Sequence, residues 1–225
     1  MGRPLLLGCA LMLAGCAPRT VARTLGQGNA EARFSAGGPF LGVSGAPLLI
    51  PSLRVGGRVG ALDTLDVDGS LALDPFAFGV LALDAGLVQQ IVRVEQGFAL
   101  SVSTHAHLVF DLDDDFTTRA FPEVGLHAAG PLTPWLELYG GVTGVGSIDP
   151  PEDRPPVFLA PYLGLEFTVN PRDQTRHLFT VQVAWASPWE DFGGFTSWEP
   201  NGYGALFLAA GWRVLIEDRP TEAFP

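Results

Sequence analysis

The stretch GALFLAAGWRVLI, Gly204 to Ile216, sorts by parity into two kinds of residue. Leu206, Leu208, Ala210, Trp212, Val214 and Ile216 are all apolar, whereas Ala205, Phe207, Ala209, Gly211 and Arg213 are mostly small and include a charge. Successive side chains of a β-strand point to opposite faces, so a strand of this composition must bury one whole face. What covers that face, a protein core or lipid, decides the fold.

The same habit recurs along the chain. Segments of roughly ten residues that alternate in polarity, separated by clusters of Gly, Pro, Asp and Asn, run near 29–36, 52–61, 64–73, 79–92, 98–111, 118–129, 134–147, 157–169, 176–187 and 202–216. Charged residues keep to one parity in each. Glu31 and Arg33 oppose Ala32 and Phe34; Arg54 and Arg58 oppose Val55 and Val59; Asp66 and Asp68 oppose Leu65 and Val67; Asp84 opposes Leu81, Leu83 and Leu87. In FALSVSTHAHLVF, Ser101, Ser103, His105 and His107 share a face, with Leu100, Val102 and Leu108 on the other. Arg119, Glu123 and His127, then Glu137, then Glu166 and finally Arg213 continue the polar series. That set is rich in Gly, Ala, Ser and Thr, as expected of side chains packed in a narrow lumen where opposite charges pair. The opening stretch then closes the sheet, with its even-numbered residues toward lipid and Arg213 beside Glu31 of the first strand.

Composition agrees. The 225 residues are 47% hydrophobic and 16% charged, with 28 Gly, 19 Pro and a formal net charge of -11. Acidity and the absence of Lys argue against nucleic acid as a partner, since a phosphate backbone requires clustered cations. After the first twenty residues no apolar run reaches the eighteen of a membrane helix.

The beginning, MGRPLLLGCALMLAG, has a short n-region with Arg3, an apolar stretch and small residues, the pattern of an export signal. Leu13-Ala14-Gly15-Cys16 resembles the bacterial lipobox, which implies cleavage before Cys16 and acylation of its sulfur. Ala17, in place of the Asp that retains such proteins at the inner membrane, implies sorting to the outer membrane. Cys9 falls within the signal, so the mature chain has no thiol left for a disulfide or a Cys-based metal site.

Loop lengths alternate too. Turns near 62–63, 93–97, 130–133 and 170–175 are short, and the long connections, among them GGPFLGVSGAPLLIP and SPWEDFGGFTSWEPNG, all fall at the other end. Through this periodicity the chain resembles the small bacterial outer-membrane β-barrel proteins. The resemblance implies an all-β, single antiparallel up-and-down transmembrane barrel of about ten strands, with eight or twelve as alternatives. The expected organisation is a signal peptide over 1–15, a lipidated polar linker over 16–28, the barrel over 29–216 and a tail over 217–225. The tail, EDRPTEAFP, departs from the terminal aromatic of such barrels, and a barrel needs no acyl anchor. These two features keep open a soluble ligand-binding barrel or sandwich tethered by its lipid, with the apolar faces inside.

Three constellations bear on chemistry. Turns centred near Asp114 and Leu132 would set Ser101 opposite His127 and His127 opposite Glu137, a row ordered as nucleophile, base and acid. A hydrogen-bonded interior explains the same residues without catalysis. His105 and His107 with Glu123 have the donor types of a metal site, but no further ligand is fixed by spacing, and an interior polar pair is the simpler reading. DLDDD at 111–115 lacks the Gly and distal Glu of a calcium loop, and GGVTGVG at 140–146 lacks the helix of a phosphate cradle. No metal and no cofactor is therefore expected. Long loops at 39–51 and 188–200 carry Phe40, Trp189, Phe192, Phe195 and Trp198, which suit a binding surface or a cap on the barrel.

The sequence thus predicts an outer-membrane lipoprotein lipidated at Cys16, with a structural or binding role and a largely filled lumen lined by Glu31, Arg33, Arg54, Arg58, Asp66, Asp68, Asp84, His105, His107, Arg119, Glu123, His127, Glu137, Glu166 and Arg213. A narrow solute channel and a lipid-acting hydrolase are the alternatives. Expected partners are outer-membrane lipid, the barrel-assembly and lipoprotein-sorting machinery, and an extracellular or periplasmic protein ligand.

Overall fold

The computed structural model describes residues 18, 21–43, 46–49, 51–94, 97–112, 118–146, 148, 157–169, 175–187 and 204–217. The signal peptide, Cys16, the tail beyond 217, most of DLDDD and the aromatic loop 188–200 lie outside these residues.

Eleven strands follow in chain order: β1 (Ala30–Val43), β2 (Ala46–Leu49), β3 (Ser52–Leu62), β4 (Leu65–Ala72), β5 (Val80–Arg93), β6 (Ala99–Asp111), β7 (Thr118–Thr133), β8 (Leu136–Gly146), β9 (Val157–Val169), β10 (Thr175–Ala186) and β11 (Ala205–Ile216). Each pairs antiparallel with its sequence neighbour, except that β3 passes over the short β2 to pair with β1. Because β11 also pairs with β1, from Ala30↔Ile216 to Pro39↔Phe207, the sheet is a closed ring of ten strands with β2 as a hairpin extension. Closure removes the free edges that an open sheet of this length would expose.

Nine of the ten expected segments match a barrel strand to within four residues at each end. The first does not. β1 runs on through Gly37, Gly38 and Pro39, a stretch the sequence assigns to a loop. A Cβ at Gly37 would sit 2.5 Å from that of Ala209, so glycine permits the close approach to β11 there. Pro39 falls beyond the end of the β3 pairing at Gly37, where the missing N–H interrupts no ladder on that side. At the other end of the molecule, where β1 begins and β11 finishes, short connections join β3 to β4 and β7 to β8. Between β4 and β5 a 3-10 turn, Pro75–Phe78, is closed by Gly79 at φ 71°, a left-handed conformation that glycine adopts without strain.

The faces answer the opening question. Arg58, Asp66, His107 and Glu123 are buried, with at most 2% of their surface exposed. Meanwhile Val124, Leu163, Val181, Val183 and Trp212 stand on the outer surface, the last four between 42% and 59% exposed. A soluble barrel with its oily faces inside would reverse this arrangement, and that alternative is set aside by the orientation of every strand.

The linker assignment over 16–28 also changes. Its described part turns into the barrel at the end carrying the termini. Val21, Ala22 and Thr24 are buried. Ser101 Oγ donates to the Val21 carbonyl at 2.7 Å, and Arg58 Nη1 donates to the Arg23 carbonyl at 3.1 Å. Thr24 Oγ1 is hydrogen bonded to the Asp63 carbonyl at 2.9 Å, and the Leu25 N–H donates to the Asp66 carboxylate at 3.0 Å. Gly28 and Asn29 then exchange backbone hydrogen bonds with Gly60 at the rim. A polar stretch does well here because the wall supplies partners that its backbone would otherwise find in water.

Candidate functional site

Parity puts one row of each strand into the lumen, and the ring's shear decides which rows meet. Nearest the chain ends, Glu31 of β1 receives two guanidiniums, Arg213 Nη1 at 2.5 Å and Arg58 Nη2 at 3.1 Å, so the expected Arg213–Glu31 contact forms. Arg213 Nη2 also reaches Glu166 of β9, and Arg58 Nε lies 3.5 Å from Asp66. Arg23, from the segment inside the barrel, donates to Glu137 at 2.9 Å and to the Gly97 carbonyl. Farther in, Arg33 grips Asp68 through both nitrogens, with Nη1 to Oδ2 at 2.7 Å. Arg54 Nη1 is 3.3 Å from Asp84, and His107 is hydrogen bonded through Nε2 to Glu123 at 2.9 Å. Asp68, Asp84 and His105 bring one ligand atom each to within 4.8 Å of the others.

Among the described residues, six guanidiniums of this interior (Arg23, Arg33, Arg54, Arg58, Arg176 and Arg213) face eight carboxylates (Glu31, Asp66, Asp68, Asp84, Glu123, Glu137, Glu166 and Glu217). Carboxylates thus outnumber guanidiniums in the lumen, a field that disfavours anions. Two apolar clusters complete the interior, the first at the far end and the second running along the β8–β11 side from the inserted segment to the far end. Ala72, Val80, Ala82, Val109, Phe121 and Val145 make one; Tyr139, Phe158, Tyr162, Phe207 and several alanines, including Ala22 of the inserted segment, make the other.

The expected catalytic row is not assembled. Ser101 and His127 are register partners as expected, and so are His105 and Glu123. Contacts nevertheless run to the diagonal neighbour: Ser103 Oγ, not Ser101, lies 2.7 Å from His127 Nε2, and Glu123 meets His107 rather than His105. The right-handed twist brings the residue two places along the next strand into reach. Glu137 misses His127 altogether. The β7–β8 turn is the tight pair Pro134–Trp135, with the Trp135 N–H donating to Thr133 Oγ1 at 3.3 Å, so His127 faces Gly141 and Glu137 faces Pro131. Proline suits the second position of such a turn, a signal in the sequence that would have moved the centre away from Leu132. The second nitrogen of His127 meets the Tyr162 hydroxyl instead. Serine, imidazole and phenol form a chain in which each side chain is less than a tenth exposed, and Glu137 is not part of it. That geometry satisfies buried polar groups and gives a substrate no approach.

One residue of the expected lumen set stands apart. Arg119 has the inward parity but sits near the start of β7, at the end of the barrel away from the chain ends, and is exposed. The sequence reading missed Arg23 and Tyr162, and placed Ser103 on the inward face without its contact to His127. Tyr162 could have been found from glycine placement: a Cβ at Gly141 would lie 2.8 Å from its hydroxyl, and one at Gly164 would lie 2.4 Å from Tyr139 Cζ. Gly86 and Gly125 clear the same space for the rings of His105 and His127. GGVTGVG is thus wholly strand within β8, and its glycine at 141 admits a neighbouring tyrosine rather than a phosphate.

No protein-family model matches the chain, and no curated protein does. Among solved structures it is similar to a bacterial polysaccharide outer membrane secretin, at 12% identity over 84% of this chain and 98% of that one, with a TM-score of 0.39. It is also similar to Ail, the attachment invasion locus protein of Yersinia pestis (13% identity, 83% and 99% covered, TM-score 0.30) and to OprG from Pseudomonas aeruginosa (13%, 86% and 99%, 0.30). Scores of this size leave the barrel architecture to rest on the register and closure described above.

Proposed function

We propose that the chain is a β-barrel lipoprotein of the bacterial outer membrane, acylated at Cys16, with a closed lumen and a structural or binding role. The supporting observation is the outer surface: apolar side chains circle the ring while charges turn inward and pair. Water would penalise that surface heavily, whereas hydrocarbon is its natural solvent, and a closed ring leaves no free sheet edge at membrane depth. In this reading the short-turn end carrying both termini is periplasmic, and the longer connections at the other end present the binding surface.

The filled interior weighs against a solute channel, and the missing acid and sealed approach weigh against a hydrolase. The test is direct. The purified protein is expected to migrate faster on gels before boiling than after, and to give β-type circular dichroism in detergent or lipid but not in plain buffer. In planar bilayers it is expected to show no stepwise conductance. A chain lacking its first sixteen residues that folds as a monomer in detergent-free buffer would overturn the membrane-spanning reading.

A further inference from the structure

Three neighbouring strands bring together, inside the lumen, a donor set that the ion pairs do not exhaust. Asp68 of β4, Gly86 of β5 and His105 of β6 lie in one register row, and Asp84 of β5 lies beside His107 of β6 in the next. Gly86 carries no side chain. A Cβ there would sit 2.5 Å from His105 Cγ, so the imidazole lies close over the β5 backbone, on the side of Asp68. Asp68, Asp84 and His105 each hold one ligand atom within 4.8 Å of the other two, and all three are buried.

His107 points to a cation here on separate grounds. Its ring is fully buried, and Nε2 is hydrogen bonded to Glu123 Oε2 at 2.9 Å. A neutral ring that donates its Nε2 proton to a carboxylate carries a lone pair on Nδ1. That Nδ1 has no hydrogen-bond partner among the described residues, and it lies 4.0 Å from Asp84 Oδ2. Two acceptors opposed in a buried site repel. A proton on Nδ1 would reach Asp84 only as a long ion pair, beyond hydrogen-bond distance. A metal ion bound to nitrogen and oxygen at about 2.0–2.2 Å each spans such a gap, with the two ligands nearly opposite one another. Glu123 then acts as the outer carboxylate that orients a ligating histidine. Arg33 and Arg54, bonded to Asp68 and Asp84, hold the aspartates in place, and carboxylate oxygens keep further lone pairs for a metal.

We propose that the lumen binds one first-row divalent metal ion, of the zinc class, through Asp68, Asp84, His105 and His107, with Glu123 as a positioning residue. Imidazole donors set it apart from a Mg²⁺ or Ca²⁺ site, since those hard ions take oxygen ligands. Of the His105, His107 and Glu123 set suggested by the sequence, both histidines ligate, while the carboxylate ligands come from β4 and β5. The ion ties three strands together from inside the barrel, whether or not Cys16 is acylated.

The full-length chain, without a polyhistidine tag, is refolded from urea into detergent micelles in the presence of Zn²⁺, desalted, and assayed for metal by atomic emission. The heat-modifiable band confirms the fold. One zinc per chain is expected, and a folded chain that retains none overturns the proposal. His105→Gln and His107→Gln are each expected to lose the zinc on desalting, whereas His177→Gln, on the outer face beside Trp212, is expected to keep it. Undiminished zinc in either lumen variant, or loss in His177→Gln, overturns the site. Zinc K-edge X-ray absorption of the natural chain reads the ligands without any substitution, so variants that fail to fold leave the question decidable. Two imidazoles with oxygen ligands at about 2.0–2.2 Å are expected, and fewer than two imidazoles overturns the assignment. Glu123→Gln is expected to weaken binding by about 10–100-fold while the edge spectrum still shows both imidazoles; unchanged affinity overturns its positioning role.

Discussion

Replacing Arg213 by methionine tests whether the interior is a dry network of paired charges. Its side chain is 8% exposed, it lies 2.5 Å from Glu31, and it contacts Glu166. Methionine keeps most of the volume and removes the cation. Glu31 retains Arg58 at 3.1 Å, whereas Glu166 loses the guanidinium it is bonded to. Removing one partner of a buried pair costs about 3–5 kcal/mol; the remaining Arg58 contact places the loss near the lower bound, about 3 kcal/mol. The position sharpens the effect, because β11 is the strand that closes the ring on β1. Adding Glu166→Gln removes the orphaned charge and is expected to recover more than half of the loss. Urea unfolding in lipid vesicles, followed by tryptophan fluorescence and by heat-modifiable migration, measures both variants. A loss below about 1 kcal/mol, or a double variant no more stable than the single one, would refute the picture of a dehydrated interior network.

On the outer face Val183→Arg is expected to destabilise the inserted barrel by about 2–4 kcal/mol in the same vesicle titration; a neutral result would place Val183 away from the bilayer midplane. Gly164→Val pushes a side chain into Tyr139, and the expected outcome is loss of the fast-migrating form or a penalty of about 1–3 kcal/mol, checked by refolding yield. Tyr162→Phe deletes one hydrogen bond to His127 and is expected to cost about 1 kcal/mol by urea titration. Ser101→Ala and Ser103→Ala are both expected to leave ester and phospholipid hydrolysis at background, with wild-type protein equally inactive; turnover abolished by either substitution would restore an enzymatic reading.

Much of the site was legible by parity. Glu31, Arg58, Asp68 and Glu123 announce the inward face because each alternates with apolar residues, and the Arg213–Glu31 contact follows from joining the first strand to the last. Contacts between adjacent strands were less legible. Ser103 displaces Ser101 at His127, and His107 displaces His105 at Glu123, since twist shifts each contact to the diagonal. Glu137 was lost to the catalytic row by a turn centred two residues later than assumed, a shift that moves a facing residue by four.

Strand number, inward and outward faces, and the end of the ring at which the first strand starts and the last finishes were all present in the chain as a period of two and an alternation of loop lengths. Both are local properties, set by the pleat of the backbone and by the chemistry of turns. The tertiary structure alone decided which buried charges meet, how far β1 extends against β11, and that residues 21–28 occupy the barrel mouth. Those outcomes depend on the shear of a closed ring and on a cavity shaped by ten strands at once. No short stretch of sequence carries that information, because each partner is supplied by a residue distant along the chain.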